Sequence, residues 1–229
     1  MSSKRIEDLV NDMTLEEQVS LLSGEGSWSV APIPRLGVGS LVVTDGPNGA
    51  RGGGGLLDGV SAAAFPVGIS LGSTWNPDLM VQIGAALADE ARDKGAQVLL
   101  GPTINLQRGP LNGRNFECFS EDPMLTGALA VGYVRGLQAN GVSAMPKHFI
   151  ANESEIDRAE VSSDVDERTL RELYLLPFER AVKNGGAWAV APCPSTSSPT
   201  KARSTGLKSH PMSTSGRCGN SIFCHLSAP

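Results

Sequence analysis

The sequence is short of several things, and each shortage closes off a class of function. It contains no run of about eighteen apolar residues, so no membrane-spanning helix is expected. Its 19 Lys and Arg are outnumbered by 24 Asp and Glu and form no basic cluster. A surface that binds phosphates needs such a cluster, so nucleic acid is not an expected partner. The opening residues Met1–Asp8 are charged and amphipathic, without the apolar run that a secretory signal requires, which predicts a cytoplasmic chain. The acceptor pattern Asn152-Glu153-Ser154 then reads as coincidence. Three of the four cysteines fall after residue 190. There His210, Cys218, Cys224 and His225 have the residue types of zinc ligands but not the spacing of a paired knuckle, so no metal is expected.

A second absence divides the chain. Residues 1–190 carry 15 Lys and Arg against 24 Asp and Glu, a balance of −9. Residues 191–229 carry four basic residues and no acid at all, with nine Ser and five Pro and almost no apolar periodicity. Such a segment buries too little surface to offset the entropy of ordering it. The expected organisation is a structured unit over 1–190 and an irregular, low-complexity tail over 191–229.

What is present before residue 190 is an alternation of strand-like and helix-like segments. Apolar residues at helical spacing over 6–22 are interrupted at Thr14, which with Glu17 fits a capping box that restarts a helix. Strand candidates are Leu41–Thr44, Phe65–Leu71, Gln97–Leu100, Val142–Met145 and the beginning of a fifth at Ala187–Val190. Helices are expected from Asn76-Pro77 to about Lys94, over Pro123–Ala139 with a stop at Asn140-Gly141, and after Asp166, with a kink at Pro177. Strand, polar loop and helix in repetition predict a parallel α/β sheet with helices outside it. The pattern alone does not separate a barrel from an open doubly wound sheet. Polar residues after several different strands favour the barrel, in which all strand ends meet on one face.

Those strand ends carry the chemistry. Asp45 is a two-oxygen acceptor, Arg51 and Arg114 are rigid forks of donors, and Lys147 and His148 add further donors, a set suited to a hydroxyl-rich ligand. Singly, each has a plainer reading as a turn or a solvated side chain. In order along the chain, however, Thr44-Asp45-Gly46-Pro47-Asn48-Gly49-Ala50-Arg51, Phe65-Pro66 with Gly72-Ser73-Thr74-Trp75-Asn76, Gly101–Asn105, Gly113-Arg114-Asn115-Phe116-Glu117 with Ser120–Pro123, and Lys147-His148-Phe149 with Asn152-Glu153 resemble glycoside hydrolase family 3, especially its fungal-type β-glucosidases. The resemblance covers about residues 4–190.

It implies the first half of a TIM-like (β/α) barrel and a site whose other wall is a following α/β domain. It also implies retaining hydrolysis of β-glucosides without a cofactor. Asp45 would grip hydroxyls of the first-subsite sugar; Arg51, Arg114, Lys147 and His148 would line the same pocket, with Leu99 as an apolar wall. The family's nucleophile is an Asp in a Ser-Asp-Trp-like strand end beyond the fifth strand, and its acid/base is a Glu in the second domain. Neither occurs in residues 191–229, where the fifth strand instead runs into Ala191-Pro192-Cys193-Pro194. No catalytic residue is therefore assigned, and translation in another reading frame near codon 190 is the expected origin of the tail. Of the upstream carboxylates, Glu117 is expected to pair with an Arg or cap a loop.

Three readings carry less weight. Arg51–Gly55 lacks the Gly-Lys-Ser/Thr ending of a phosphate loop. Cys118 is expected to be a buried packing residue, and Trp28, Trp75 and Trp188 are expected in the core rather than stacked on sugar.

Overall fold

A computed structural model describes residues 3–53, 60–153 and 163–192. Its helices start where side chains replace the missing partners of the first backbone amides. Helix α1 (Ser3–Asp12) is followed by α2 (Leu15–Leu22), capped reciprocally: Glu17 N donates to Thr14 Oγ1 at 3.2 Å and Thr14 N donates to Glu17 Oε2 at 2.8 Å. Strand β1 (Ser29–Val30) and strand β2 (Leu41–Asp45) come next, then a short helix α3 (Gly68–Gly72). Helix α4 (Pro77–Asp93) opens on Asn76, whose Oδ1 accepts from Asp78 N and Leu79 N, with Pro77 where no amide is needed. Strand β3 (Val98–Leu100) leads through a long polar loop to α5 (Pro123–Ala139), opened in the same way by Asp122-Pro123. Strand β4 (Ser143–Ala144) follows.

The strands lie in chain order, β1-β2-β3-β4; β1 runs antiparallel to β2, and β2, β3 and β4 are mutually parallel. In register, Val43 faces Val98 and Leu99 faces Ala144. Alternate residues serve two layers. Val43 and Val98 pack with Met145 and Ala189 on one face, whereas Leu99 and Ala144 pack against the helices with Met80, Leu87, Leu129, Tyr133 and Leu137. Helices α4 and α5 sit side by side in that second layer, and Gly132 lets them touch: a Cβ there would lie 2.3 Å from the Pro77 carbonyl oxygen. A doubly wound sheet puts helices on both faces and breaks the strand order at a switch point. Consecutive parallel strands with both crossover helices in one layer form instead the opening arc of a (β/α) barrel, as the strand-end residues suggested.

The last helical segment begins with α6 (Glu167–Thr169), capped by Asp166 Oδ1 accepting from Thr169 N at 2.9 Å. It passes through a π-helical turn at Leu170–Tyr174 and continues as α7 (Leu175–Lys183). Pro177 lacks an amide and its ring crowds the carbonyl four residues back, at Leu173, so the irregularity takes the form of this widened turn.

Two expected strands are corrected. Residues 65–71 do not form one: Gly68–Gly72 is helical, with its glycine backbones pressed against the Glu117 and Phe119 carbonyls. A short apolar run does not distinguish a strand from a buried helical turn. Ala187–Val190 is not a regular strand either. The chain runs beside the segment after β4 through Ala191 N to Pro146 O and Phe149 N to Ala191 O, with an isolated parallel bridge between Phe149 and Pro192. Next to that edge lies an apolar groove of about 460 Å³ lined by Phe149, Leu175, Phe178, Val182, Val190 and Pro192. Trp75 and Trp188 are also corrected, since both are mostly exposed, while Trp28 is partly buried against the β2–β3 face. Cys118 is buried, as expected, and its apolar surroundings and the nearby Glu117 push the thiol up to about 12.

Candidate functional site

Three parallel strand ends meet at one polar cavity. Asp45 is the last residue of β2, and the turn Gly46–Gly49 that follows it forms one wall. Lys147 follows β4 and supplies another, and Arg114, Phe116 and Glu117, from the loop after β3, close the third side. The space enclosed is about 340 Å³, at the small end of the roughly 300–1,000 Å³ range of ligand pockets. The turn is fixed from below, because the buried Tyr133 hydroxyl donates to the Pro47 carbonyl oxygen at 2.9 Å.

Two ion pairs organise the cavity. Lys147 Nζ donates to Asp45 Oδ1 at 2.6 Å, and the same oxygen accepts from Gly46 N at 2.8 Å. Burial pushes the Asp45 carboxyl up more than any other single influence. The Lys147 charge and hydrogen bond, the Gly46 amide and the Arg51 charge together outweigh it, so Asp45 titrates below the usual carboxylate range. On the opposite wall Arg114 Nε donates to Glu117 Oε1 at 2.5 Å, while Glu117 Oε2 accepts from Thr103 Oγ1 at 2.8 Å. Arg114 Nη2 lies 3.3 Å from His148 Nε2. Asn105 Nδ2 donates to the His148 carbonyl at 3.0 Å and to the Asn152 carbonyl at 3.2 Å, tying the loop after β3 to the segment after β4.

Of the six residues singled out from sequence, the structure brings Asp45, Arg114 and Lys147 to the cavity wall and sets His148 directly behind Arg114. Arg51 is close enough for its charge to act on Asp45, and its amide donates to the Asp45 carbonyl at 2.9 Å; it does not line the cavity. Leu99 is not brought there. It is fully buried in the helix-facing layer, because the alternation of β3 turns its side chain away from the face that carries Val98. Sequence reasoning missed the wall formed by Asn48 and Phe116. Both lie inside quoted motifs, and their chemistry, an amide and a half-exposed aromatic ring, was the available signal. Glu117 pairs with Arg114 as expected.

Among the described residues no cluster of His, Cys, Asp and Glu is arranged to hold a metal ion, and no helix is long and apolar enough to cross a membrane. His210, Cys218, Cys224 and His225 lie outside the described residues, as do Gly54 and Gly55 of the glycine-rich stretch.

Parallel strands in chain order, with their carboxyl-terminal loops converging on a cavity of paired acids and bases, define the (β/α)-barrel class, with a polar cavity at the strand ends. Comparison with known proteins refines this. The model of the glycosyl hydrolase family 3 N-terminal domain matches residues 35–209, so the chain belongs to glycoside hydrolase family 3. A β-glucosidase of Rhizobium radiobacter is 62% identical over 185 residues, which are 81% of this chain and 23% of that protein. The solved β-glucosidase 3B of Thermotoga neapolitana in complex with α-D-glucose superposes with a TM-score of 0.77 at 40% identity, covering 82% of this chain and 29% of that one. The β-glucosidase of Kluyveromyces marxianus in complex with glucose gives 0.79 at 44% identity, covering 82% and 22%. The chain thus spans about a quarter of the length of the relatives it matches. The sequence-based identification of an N-terminal β-glucosidase-type fragment, with an incomplete TIM-like barrel as its fold, is borne out.

Proposed function

We propose that this chain carries the sugar-gripping half of a β-glucosidase first subsite, binds glucose or the glucosyl end of a β-glucoside there, and by itself does not hydrolyse it. The observation that carries the reading is the Asp45–Lys147 pair facing Arg114 across one cavity. A carboxylate oxygen and two kinds of cationic donor, on separate strand ends, can hold neighbouring hydroxyls of a pyranose by charge-assisted hydrogen bonds. Arg51 and His148 support that wall electrostatically and through Arg114. Leu99 contributes only as packing beneath it.

Retaining hydrolysis needs a carboxylate nucleophile and a carboxylic acid about 5–5.5 Å apart on either side of the scissile bond. The two carboxylates at this cavity are both otherwise engaged, Asp45 with Lys147 and Glu117 with Arg114 and Thr103. Composition separates residues 1–190, taken as the barrel part, from 191–229, which hold no acid and are taken as a tail of out-of-frame origin, although the family match runs on to residue 209. Coding DNA that, shifted near codon 190, yields no Ser-Asp-Trp-like continuation removes that origin.

The function is tested with the purified 229-residue chain. Glucose titration should give saturable binding that Asp45→Ala abolishes, and an aryl β-glucoside should be turned over no faster than in buffer. Enzymatic release of the aryl group, free of contaminating glycosidase, refutes the non-catalytic reading; equal binding by wild type and Asp45→Ala takes Asp45 out of the pocket.

A further inference from the structure

Among the residues that line the cavity only Phe116 and Pro47 have apolar side chains; the others are charged, amide-bearing or glycine. Phe116 sits in the middle of a single 3₁₀ turn, Asn115–Glu117, and is 58% exposed, whereas Phe119 of the same loop is buried in the helix-facing layer. A lone exposed ring on a protein surface needs no explanation. This one lines a polar cavity, and its backbone is pinned on both sides. Gln107 Nε2 donates to the Asn115 carbonyl at 3.1 Å and to the Cys118 carbonyl at 2.9 Å. Asn115 Nδ2 donates to the Gly109 carbonyl at 2.7 Å, and buried Glu117 accepts from Thr103 Oγ1 at 2.8 Å. The facing Gly46–Gly49 turn is held as firmly, through Tyr133 and through Asn48 Nδ2, which donates to the Pro66 carbonyl at 2.8 Å. Neither wall has to be ordered when a ligand arrives, which removes one cost of binding.

A pyranose with equatorial hydroxyls presents two chemistries, a rim of hydroxyl groups and two ring faces made of C–H bonds. Ionic groups hold the rim and do nothing for the faces. The face of an aromatic ring carries partial negative charge and attracts positively polarised C–H groups while burying them. We propose that Phe116 is the apolar platform of this site: its ring packs against one C–H face of a pyranose whose hydroxyls Asp45, Lys147 and Arg114 hold. The ligand class is thereby narrowed to cyclic sugars with an uninterrupted C–H face; an open-chain polyol offers hydroxyls without the face and gains nothing from the ring. The proposal rests on the sugar-binding reading above and adds the group that recognises the sugar's apolar side.

Proton NMR of methyl β-D-glucopyranoside titrated with the full 229-residue chain tests it. Bound to the wild type, the axial protons of one sugar face, H1, H3 and H5 or else H2 and H4, should shift upfield through the ring current. Phe116→Tyr should keep that shift and stay within about twofold of wild-type affinity. Phe116→Leu, which keeps apolar bulk without a ring, should lose the shift and bind roughly threefold more weakly. Phe116→Ala, at an unchanged urea midpoint, should bind about fivefold to tenfold more weakly. Sorbitol should compete no better against the wild type than against Phe116→Ala. Wild-type affinity in Phe116→Ala, or an upfield shift that survives in Phe116→Leu, overturns the platform; if Asp45→Ala still abolishes binding, the sugar-binding reading stands without it. A Phe116-dependent shift that persists at unchanged affinity in Asp45→Ala does the reverse. A wild type that shows no saturable binding refutes both.

Discussion

Lys147 and Asp45 stand 102 residues apart in the chain and 2.6 Å apart in space. The Lys147 side chain is only 6% exposed, whereas that of Asp45 keeps 30%. The lysine therefore depends on the aspartate for its compensation, while the aspartate retains an open side toward the cavity.

This asymmetry sets the first prediction. Asp45→Ala strands a buried ammonium, and removing one partner of a buried pair costs about 3–5 kcal/mol; because Asp45 is partly exposed, about 2–3 kcal/mol is expected here. Urea unfolding should show that loss. The double variant Asp45→Ala/Lys147→Met, which leaves no unpaired charge, should recover most of it.

The second prediction concerns pH. The folded-state pKa of Asp45 is depressed below its unfolded value. Its contribution to stability is accordingly present above the unfolded pKa of about 3.9 and lost as pH falls through the lower folded value. Glu153 has the opposite sign: burial raises its pKa, against hydrogen bonds from Tyr174 and the Leu106 amide and the Arg108 charge. Its contribution is complete below the unfolded pKa of about 4.3 and declines as pH rises through the raised folded value. Melting temperatures across pH should therefore show Glu153→Gln more stable than wild type at pH 7, with the advantage gone near pH 4. A constant difference across that range would contradict the assignment.

Tyr133 gives the third. It is fully buried and its hydroxyl is pushed well above its ordinary value by burial and by the Asp45 charge. Tyr133→Phe leaves the packing intact and orphans the Pro47 carbonyl, at a cost of about 1–3 kcal/mol. Amide exchange should quicken specifically in the Gly46–Gly49 turn, which separates this change from a general loosening of α5.

The fourth tests the corrected segment. A Cβ on Gly72 would lie 1.9 Å from the Phe119 carbonyl oxygen, a backbone atom with little room to retreat. Gly72→Ala should cost about 3 kcal/mol or more, beyond the usual 1–3 for overpacking. Val67→Thr, nearby but partly exposed, should change unfolding free energy by less than about 0.5 kcal/mol.

The capping box at Thr14, the Asn76-Pro77 start and the Asn140-Gly141 stop were legible because their signals act within one turn of the helix they open or close. Asp45, Arg114 and Lys147 were legible as members of ordered motifs after strands. Leu99 was misplaced because side-chain direction in a strand alternates with period two, and a register one residue out reverses the face; Leu100 is the neighbour that shares a face with Val98. The helix at Gly68–Gly72 was hidden because its reason is a contact with residues about fifty positions later, which no local window contains. The same holds for Trp75 and Trp188, whose size alone argued for the core.

The cavity wall built by Asp45, Arg114 and Lys147 is complete by the time the chain has reached residue 148. Synthesis proceeds from the N-terminus at about 5–20 residues per second, and structure forms in that order. A ribosome making this polypeptide would thus present that polar wall early, before the residues after 148 are made.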